Sequence, residues 1–312
     1  MELFDLHCDS ILQFKERSQD FLSKDTQFSL NGLRKFTRLC QTMAIFIPDT
    51  VRGGAALEYF DRHAAYLKKL LSMQPELAGQ VFYEDDIDTY TSQGRCAVIL
   101  AVESGGALGG NLEQVDHLAD LGVKFMTLVW NGENELGSGN ETEKGLTEFG
   151  KQVIRRMERR GIIADVSHLN DRGFSDVCET AERPFMATHS NLRSVADHKR
   201  NLTESQFQEI IRRKGVVGLN LHAPFVSAEE ISDEEHLFRH IYRMLELGGE
   251  DVIAWGSDFD GDIITPLDSP QKLGEFGDYL LRKGISQTVV DKIFFENAKE
   301  FCKRNFDGRR KP

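Results

Sequence analysis

The chain has 312 residues, 40% of them hydrophobic, enough to bury a sizeable core without covalent staples. Its 50 acidic and 38 basic side chains leave a formal net charge of −12, which argues against nucleic acid or an anionic membrane as the main partner. Five scattered cysteines (Cys8, Cys40, Cys96, Cys178, Cys302) without a CxxC pairing speak against a disulfide framework and fit thiols in a reducing compartment. No apolar stretch approaches the ~18 residues of a membrane helix. Met1 leads directly into a strand pattern, so we expect no signal peptide and a cytoplasmic location.

Eight short apolar runs predict strands near residues 2–7, 41–47, 97–103, 124–130, 162–167, 185–189, 215–221 and 252–258. The first, ELFDLHCDS, ends in His7 and Asp9, which project to one side of an extended strand while Cys8 points away. The connection 10–40 is long and polar and reads as a surface insertion near the site. A helical pattern from Ala56 precedes CAVILAVESGG, whose apolar run closes on Glu103. That carboxylate needs a partner: an Arg or Lys, or metal, since its two oxygens can hold cations ~3.5–4 Å apart.

A helix from Glu113 leads to KFMTLVWNGEN, which ends in Trp130. The Gly- and Asn-rich segment 131–145 then reads as an active-site wall or lid. Beyond a helix from Leu146, GIIADVSHLN brings His168, and after a helix from Ser175, FMATHSN brings His189. The loop DHKRN holds Arg200 and Asn201; Arg200 could clasp a carboxylate through paired hydrogen bonds or stand solvated on the surface. Thr203 and Gln206 form a capping box, and Gly215 and Gly248-Gly249 suit helix ends. His222 follows the seventh run and its role stays open; His63, His117, His236 and His240 fall in helical patterns and read as surface or interhelical packing residues. DVIAWGSDFDG ends the series with Asp258, Asp260 lying farther into the loop, and the tail DGRRKP reads as a frayed basic end.

Alternating strands and helices imply a parallel sheet, and eight repeats favour closure into a (β/α)8 TIM-type barrel, an α/β fold. We expect one domain over 1–312, with 10–40 and 131–145 as loop insertions and a metal site at the C-terminal strand ends. Imidazole and carboxylate donors suit a divalent transition metal, zinc first, with Mn, Co or Fe able to use the same ligands. The reading is a metal-dependent hydrolase.

The pieces DLHCDS, AVESGG, DVSH followed by THSN, HKRN and GSDFDG occur in this order. Together they resemble the membrane (renal) dipeptidase family, the M19 metallopeptidases of the amidohydrolase-like barrels, over essentially the whole chain. The resemblance implies two zinc ions per chain, His7 and Asp9 holding one, His168 and His189 the other, and Glu103 bridging. It implies a metal-bridging hydroxide that attacks the peptide bond of a dipeptide. Asp258 would handle the proton and contact the free amine, while Arg200, with Asn201 beside it, would bind the C-terminal carboxylate. A homodimer is a further implication.

Many family members carry a histidine, which contacts the substrate and steadies the oxyanion, where this chain has Trp130. Indole donates one hydrogen bond but exchanges no proton near neutral pH, and Asn131 or His222 could supply the missing donor. The secretion signal, disulfides and lipid anchor of vertebrate members are not visible, which fits a cytoplasmic member of bacterial type. Two alternatives stand beside this reading. One is a binuclear amidohydrolase for another small carboxylate-bearing amide or lactone; the other, resting on Trp130 alone, is an inactive binding barrel.

Overall fold

A computed structural model describes residues 1–31, 36–229, 232–262 and 265–307. Its strands are β1 (Glu2–Cys8), β2 (Arg38–Phe46), β3 (Ala78–Gln80), β4 (Cys96–Glu103), β5 (Val123–Thr127), β6 (Ile163–Asp165), β7 (Val217–Leu219) and β8 (Ile253–Trp255). Hydrogen-bonded neighbours run β6-β5-β4-β2-β1-β8-β7, all parallel. Residues 186 and 187 join the two ends of this sheet, since Met186 bridges Asp165 and Ala187 bridges Val217. Val166 N–H donates to the Met186 carbonyl, and Gly218 N–H to that of Ala187, each at 2.8 Å. The architecture is the TIM-type α/β barrel that the eight apolar runs predict. Its sixth member is a pair of bridges rather than the strand expected over 185–189, and β3, which pairs with the lower end of β4, is additional.

Most of the other strands end sooner than the apolar runs do. Ser104, His168 and Asp258 have φ of 89°, 70° and 63°, a left-handed conformation that cannot continue a strand. His168 and Asp258 thus turn off the line of β6 and β8, whereas His7 and Glu103 lie within β1 and β4.

One side of the ring's strands feeds a compact inner cluster that mixes large and small residues, among them Phe4, Phe125, Ala44, Ala101 and Ala254. Its floor is aromatic, with Phe295 5.9 Å from Phe4 and Phe306 5.8 Å from Phe125. These floor residues belong to the C-terminal helical segment, which the periodic reading does not identify. The larger apolar cluster lies between strands and helices, and Cys8 joins it against Met43, pointing away from His7 as expected.

The connection after β1 is less polar than its composition suggests. It begins with a helix, Ser10–Glu16, and buries Phe14, Phe21 and Phe28. Residues 32–35 of this insertion, and the basic tail from 308 onward, lie outside the described residues. The Thr203–Gln206 capping box is present in both directions, at 2.8 and 3.2 Å. Gly248 takes the left-handed position after its helix, at φ 84°. At Gly215 the expectation is corrected: Lys214 takes the left-handed turn, and a Cβ on Gly215 would lie 2.3 Å from the Phe185 carbonyl oxygen.

His240, on helix Glu234–Glu246, is fully buried. Its Nδ1 accepts from Leu192 N–H at 3.2 Å, so its Nε2 carries the hydrogen donated to the Val226 carbonyl at 3.0 Å. Burial pushes its pKa down to about 4. Between that value and the ~6.5 of an unfolded chain, unfolding takes up a proton that the native state refuses, so stability falls as pH falls through this window. Replacing His240→Gln should reduce the loss of unfolding free energy between about pH 7 and pH 5 by roughly 2 kcal/mol. Denaturant titrations at the two pH values check this, and equal losses in both proteins would refute it.

Candidate active site

Glu103 ends β4 with both carboxylate oxygens turned to different partners. Oε2 lies 3.5 Å from His7 Nε2, which in turn lies 3.6 Å from Asp9 Oδ2 and 3.8 Å from Asp258 Oδ1. Oε1 lies 2.8 Å from His168 Nε2 and 3.7 Å from His189 Nε2. The two sets His7–Asp9–Glu103 and Glu103–His168–His189 are compact enough to hold a metal ion each, and all five residues are buried. Asp9 arrives differently from the expectation of an extended pair. It follows β1 and is the residue before helix Ser10–Glu16, with φ −98° and ψ 8°.

The histidine tautomers follow from what stands behind the rings. Thr188 Oγ1 donates its single hydrogen to Asp165 at 2.5 Å, so it accepts from His189 Nδ1 at 2.7 Å. His168 Nδ1 donates to Asn131 Oδ1 at 2.9 Å. Burial lowers both pKa values, with Arg200 adding to the effect at His168 and His7 and Arg200 at His189, which favours the neutral form of each ring. Their Nε2 lone pairs then face each other across 3.0 Å beside a carboxylate oxygen. On the other side of Glu103, His7 Nε2 and Asp9 Oδ1 are buried without a hydrogen-bond partner. Converging lone pairs and orphaned donor atoms are the environment a cation resolves.

Charge within the set is strongly shifted. Burial and the Glu103 charge push the Asp9 carboxyl up to about 7. Burial opposes the His7 imidazolium, but Glu103 and Asp9 prevail and hold it well above its ordinary value. Burial also opposes ionisation of Glu103, and the charge on His7 is the first effect that outweighs it, holding that group below the usual carboxylate range.

These residues open onto a cavity of about 350 Å³, walled by Phe46, Tyr59, Trp130 and Phe225 among others. Asp258 lines it, its Oδ2 fixed by Asn220 Nδ2 at 3.0 Å. His222 also lines it and stacks on Phe225 at 4.4 Å, its Nδ1 without a partner. Asn131 lines it too; its side-chain oxygen accepts from His168 Nδ1 at 2.9 Å and from Asn140 Nδ2 at 2.7 Å, which orients the ring and leaves Nδ2 as its hydrogen donor. Of the segment 131–145 only Asn131 lines the cavity; the rest is tied down by Asn170, whose Nδ2 donates to the carbonyls of Thr142 and Lys144, each at 2.8 Å.

Arg200 and Asn201 do not line the cavity. Arg200 is buried behind His189, donating to that residue's carbonyl and to Ser190 Oγ, each at 3.0 Å, with Nε unpartnered. Asn201 braces the loop through the Ala196 and Phe225 carbonyls. The periodic reading passed over Asp165, Thr188, Asn140, Asn220 and His198; the last accepts Arg200 N–H at 3.1 Å and packs on Phe225 at 4.7 Å.

The membrane dipeptidase (peptidase family M19) model matches residues 1–304. This chain belongs to that family. It is therefore an enzyme of the metallo-dipeptidase type, and the family implies metal dependence. Its fold is that of a metallopeptidase from Rhodobacter sphaeroides liganded with a phosphinate mimic of L-Ala-D-Ala, at 23% identity, covering 98% of this chain and 99% of that one with a TM-score of 0.92. It is also that of a second M19 dipeptidase, at 24% identity, covering 98% and 99% with a TM-score of 0.91. An uncharacterised protein of Klebsiella pneumoniae, from the pqqA 5′ region, is 29% identical over 78% of this chain and 95% of its own length. No helix among the described residues is long and apolar enough to cross a membrane.

The Asp165–Thr188–His189 chain should matter to metal binding, because a fixed tautomer keeps Nε2 available. Thr188→Val, which keeps the shape and removes the hydroxyl, should weaken metal binding about 10–100-fold, and Thr188→Ser should restore it. Competition with a chromophoric chelator measures this; equal affinity in Thr188→Val would remove the hydroxyl from that role.

Proposed function

We propose that this chain hydrolyses dipeptides with two zinc ions, one held by His7 and Asp9, the other by His168 and His189, and Glu103 between them. The observation that carries the reading is the two-sided environment of Glu103, with imidazole nitrogen 3.5 Å from one oxygen and 2.8 Å from the other. Two such ions would polarise the scissile carbonyl and make hydroxide available near neutral pH.

The protein's own groups do the rest. Asp258 keeps Oδ1 directed at the metal-ligand cluster while Asn220 holds Oδ2, so one oxygen is free to receive the substrate ammonium and to pass a proton to the leaving amine. His222, which lines the cavity, would give a hydrogen to the oxygen that gains charge, the task Trp130 cannot share through proton exchange. Arg200 contributes positive potential from behind His189 toward the substrate carboxylate. Trp130 and Phe46, edge to face at 4.8 Å, form a rigid wall that excludes water. The same reading takes 1–312 as one catalytic unit acting in the cytoplasm, with a homodimer as its assembly.

Metal analysis of the purified protein should find about two zinc per chain, and a chelator should abolish dipeptide cleavage. Glu103→Gln should reduce the content at both positions. A metal-free, inert preparation that stays inert when zinc is supplied would sink the enzyme reading. His222→Ala should lower kcat ~10²–10³-fold with KM little changed. An unaltered kcat would take His222 out of the mechanism.

A further inference from the structure

We propose that Asn220 is a positioning residue that holds Asp258 and His222 at one fixed separation, and that this separation selects dipeptides with an α-amine over those with a β-amine. The inference rests on the dipeptidase reading and specifies how its site measures the substrate.

Asn220 directly follows β7 and is fully buried. Both ends of its carboxamide are used. Oδ1 accepts from the His222 backbone N–H at 2.6 Å, a group that can only donate. Nδ2 is therefore the end that faces Asp258, and it donates to Oδ2 there at 3.0 Å. A longer contact of 3.4 Å runs from Nδ2 to the His189 carbonyl. The last ladder pair between β7 and β8 is Leu219 with Trp255. His222 and Asp258 each stand three residues beyond it, on separate loops, and Asp258 takes a φ of 63°. Asn220 is bonded to both.

This carboxamide is itself held in place. Asn191, fully buried and two residues past His189, accepts from Asn220 N–H at 3.0 Å and donates through Nδ2 to the Asn220 carbonyl at 2.9 Å. The same Nδ2 reaches the Phe225 carbonyl at 3.2 Å, and the Phe225 ring is the one on which His222 stacks. Asn220 is thus clamped at both backbone polar groups to the segment that carries His189. With backbone and side chain both tied, the two groups it holds keep their spacing.

That spacing meets a fixed one in the substrate. In the reading above, Asp258 takes the amine and His222 serves the oxygen of the scissile carbonyl. In an α-dipeptide these two groups are joined through a single carbon, and in a β-amino residue a further methylene separates them. A misplacement of about 1 Å costs on the order of 10²-fold in rate. Two groups held rigidly therefore discriminate against the longer spacing, and loosening them harms the α-dipeptide more.

Steady-state kinetics of the zinc-loaded protein with Ala-Ala and β-Ala-Ala test this. We expect the wild-type protein to prefer Ala-Ala in kcat/KM by about 10²-fold. Asn220→Ala should lower the value for Ala-Ala by about 10²-fold and that for β-Ala-Ala by less, so that the preference shrinks while zinc content stays unchanged. Added to a protein already carrying Asp258→Ala and His222→Ala, the same substitution should cost less than about threefold, because nothing remains for it to position. Asn220→Asp keeps the shape and the acceptor for His222 but turns an oxygen toward Asp258, and it carries the same comparison where the alanine variant does not fold. An unchanged preference, or an equal loss in the two backgrounds, overturns the proposal and leaves the dipeptidase reading standing. Equal cleavage of the two substrates by the wild-type protein overturns the selection. Cleavage of neither overturns both readings.

Discussion

A buried carboxylate at the end of a central strand sets the terms for the C-terminal face of this barrel. Glu103 is 4% exposed, and leaving such a charge without partners costs several kcal/mol. It must be compensated from both of its oxygens at once, and the compensating groups come from strand ends on either side of β4 in the ring. His7 approaches from β1, and His168 and His189 from beyond β6 and from the bridge segment that follows it. The ring has to close for these groups to meet, so barrel topology and site chemistry are a single constraint.

Below Glu103 and its partners, two more buried carboxylates fix the strand ends that carry them. Asp5 accepts from Ser257 N–H at 2.8 Å, Ser257 Oγ at 2.6 Å and Gln41 Nε2 at 2.8 Å, joining β1 to β2 and to the end of β8. Asp165 accepts from Thr127 Oγ1 at 2.7 Å, Thr188 N–H at 2.9 Å and Thr188 Oγ1 at 2.5 Å, joining β6 to β5 and to the bridge segment. One brace thus serves the His7–Asp258 side and the other the His168–His189 side. Such support offsets backbone strain, because non-glycine residues in the left-handed region cost on the order of 1–2 kcal/mol each. His168 and Asp258 both adopt it, and Asp258 N–H is held by the His7 carbonyl at 3.1 Å.

His7, Asp9, Glu103, His168, His189 and Asp258 were legible in the sequence because each stands at the end of an apolar run, a local pattern that needs no knowledge of the fold. The braces were not, although a trace of them is present. Asp5 stands two residues before His7, and Asp165 three before His168, each inside an otherwise apolar strand. A carboxylate at such a position has to find buried donors, and that requirement marks it as structural support rather than ligand. Partners such as Thr188 with Asp165, or Ser10 with Asp260, 250 positions apart, depend on which strand ends become neighbours, and no short pattern encodes that. Arg200 was legible as a residue but not in its place, since the loop that carries it folds back behind His189. The insertion after β1 reads as polar because its three buried phenylalanines, seven residues apart, stand among mostly polar neighbours.

Protons and cations compete for the space around Glu103, and the direction of that competition follows from the pKa shifts. The Asp9 carboxyl sits at about 7 in the fold against an ordinary value of 3.8. Between these values the folded protein keeps a proton that the unfolded chain has lost, so the metal-free protein loses stability as pH rises across the window. His7 acts in the same sense: its raised value stabilises the fold fully below the ordinary 6.5, and this contribution fades as pH climbs through the folded value. Divalent cations favour deprotonated ligands, and binding at these residues, as proposed, would release the protons held there. If these residues hold the metal as proposed, metal stabilisation would grow over the same pH range in which proton stabilisation declines.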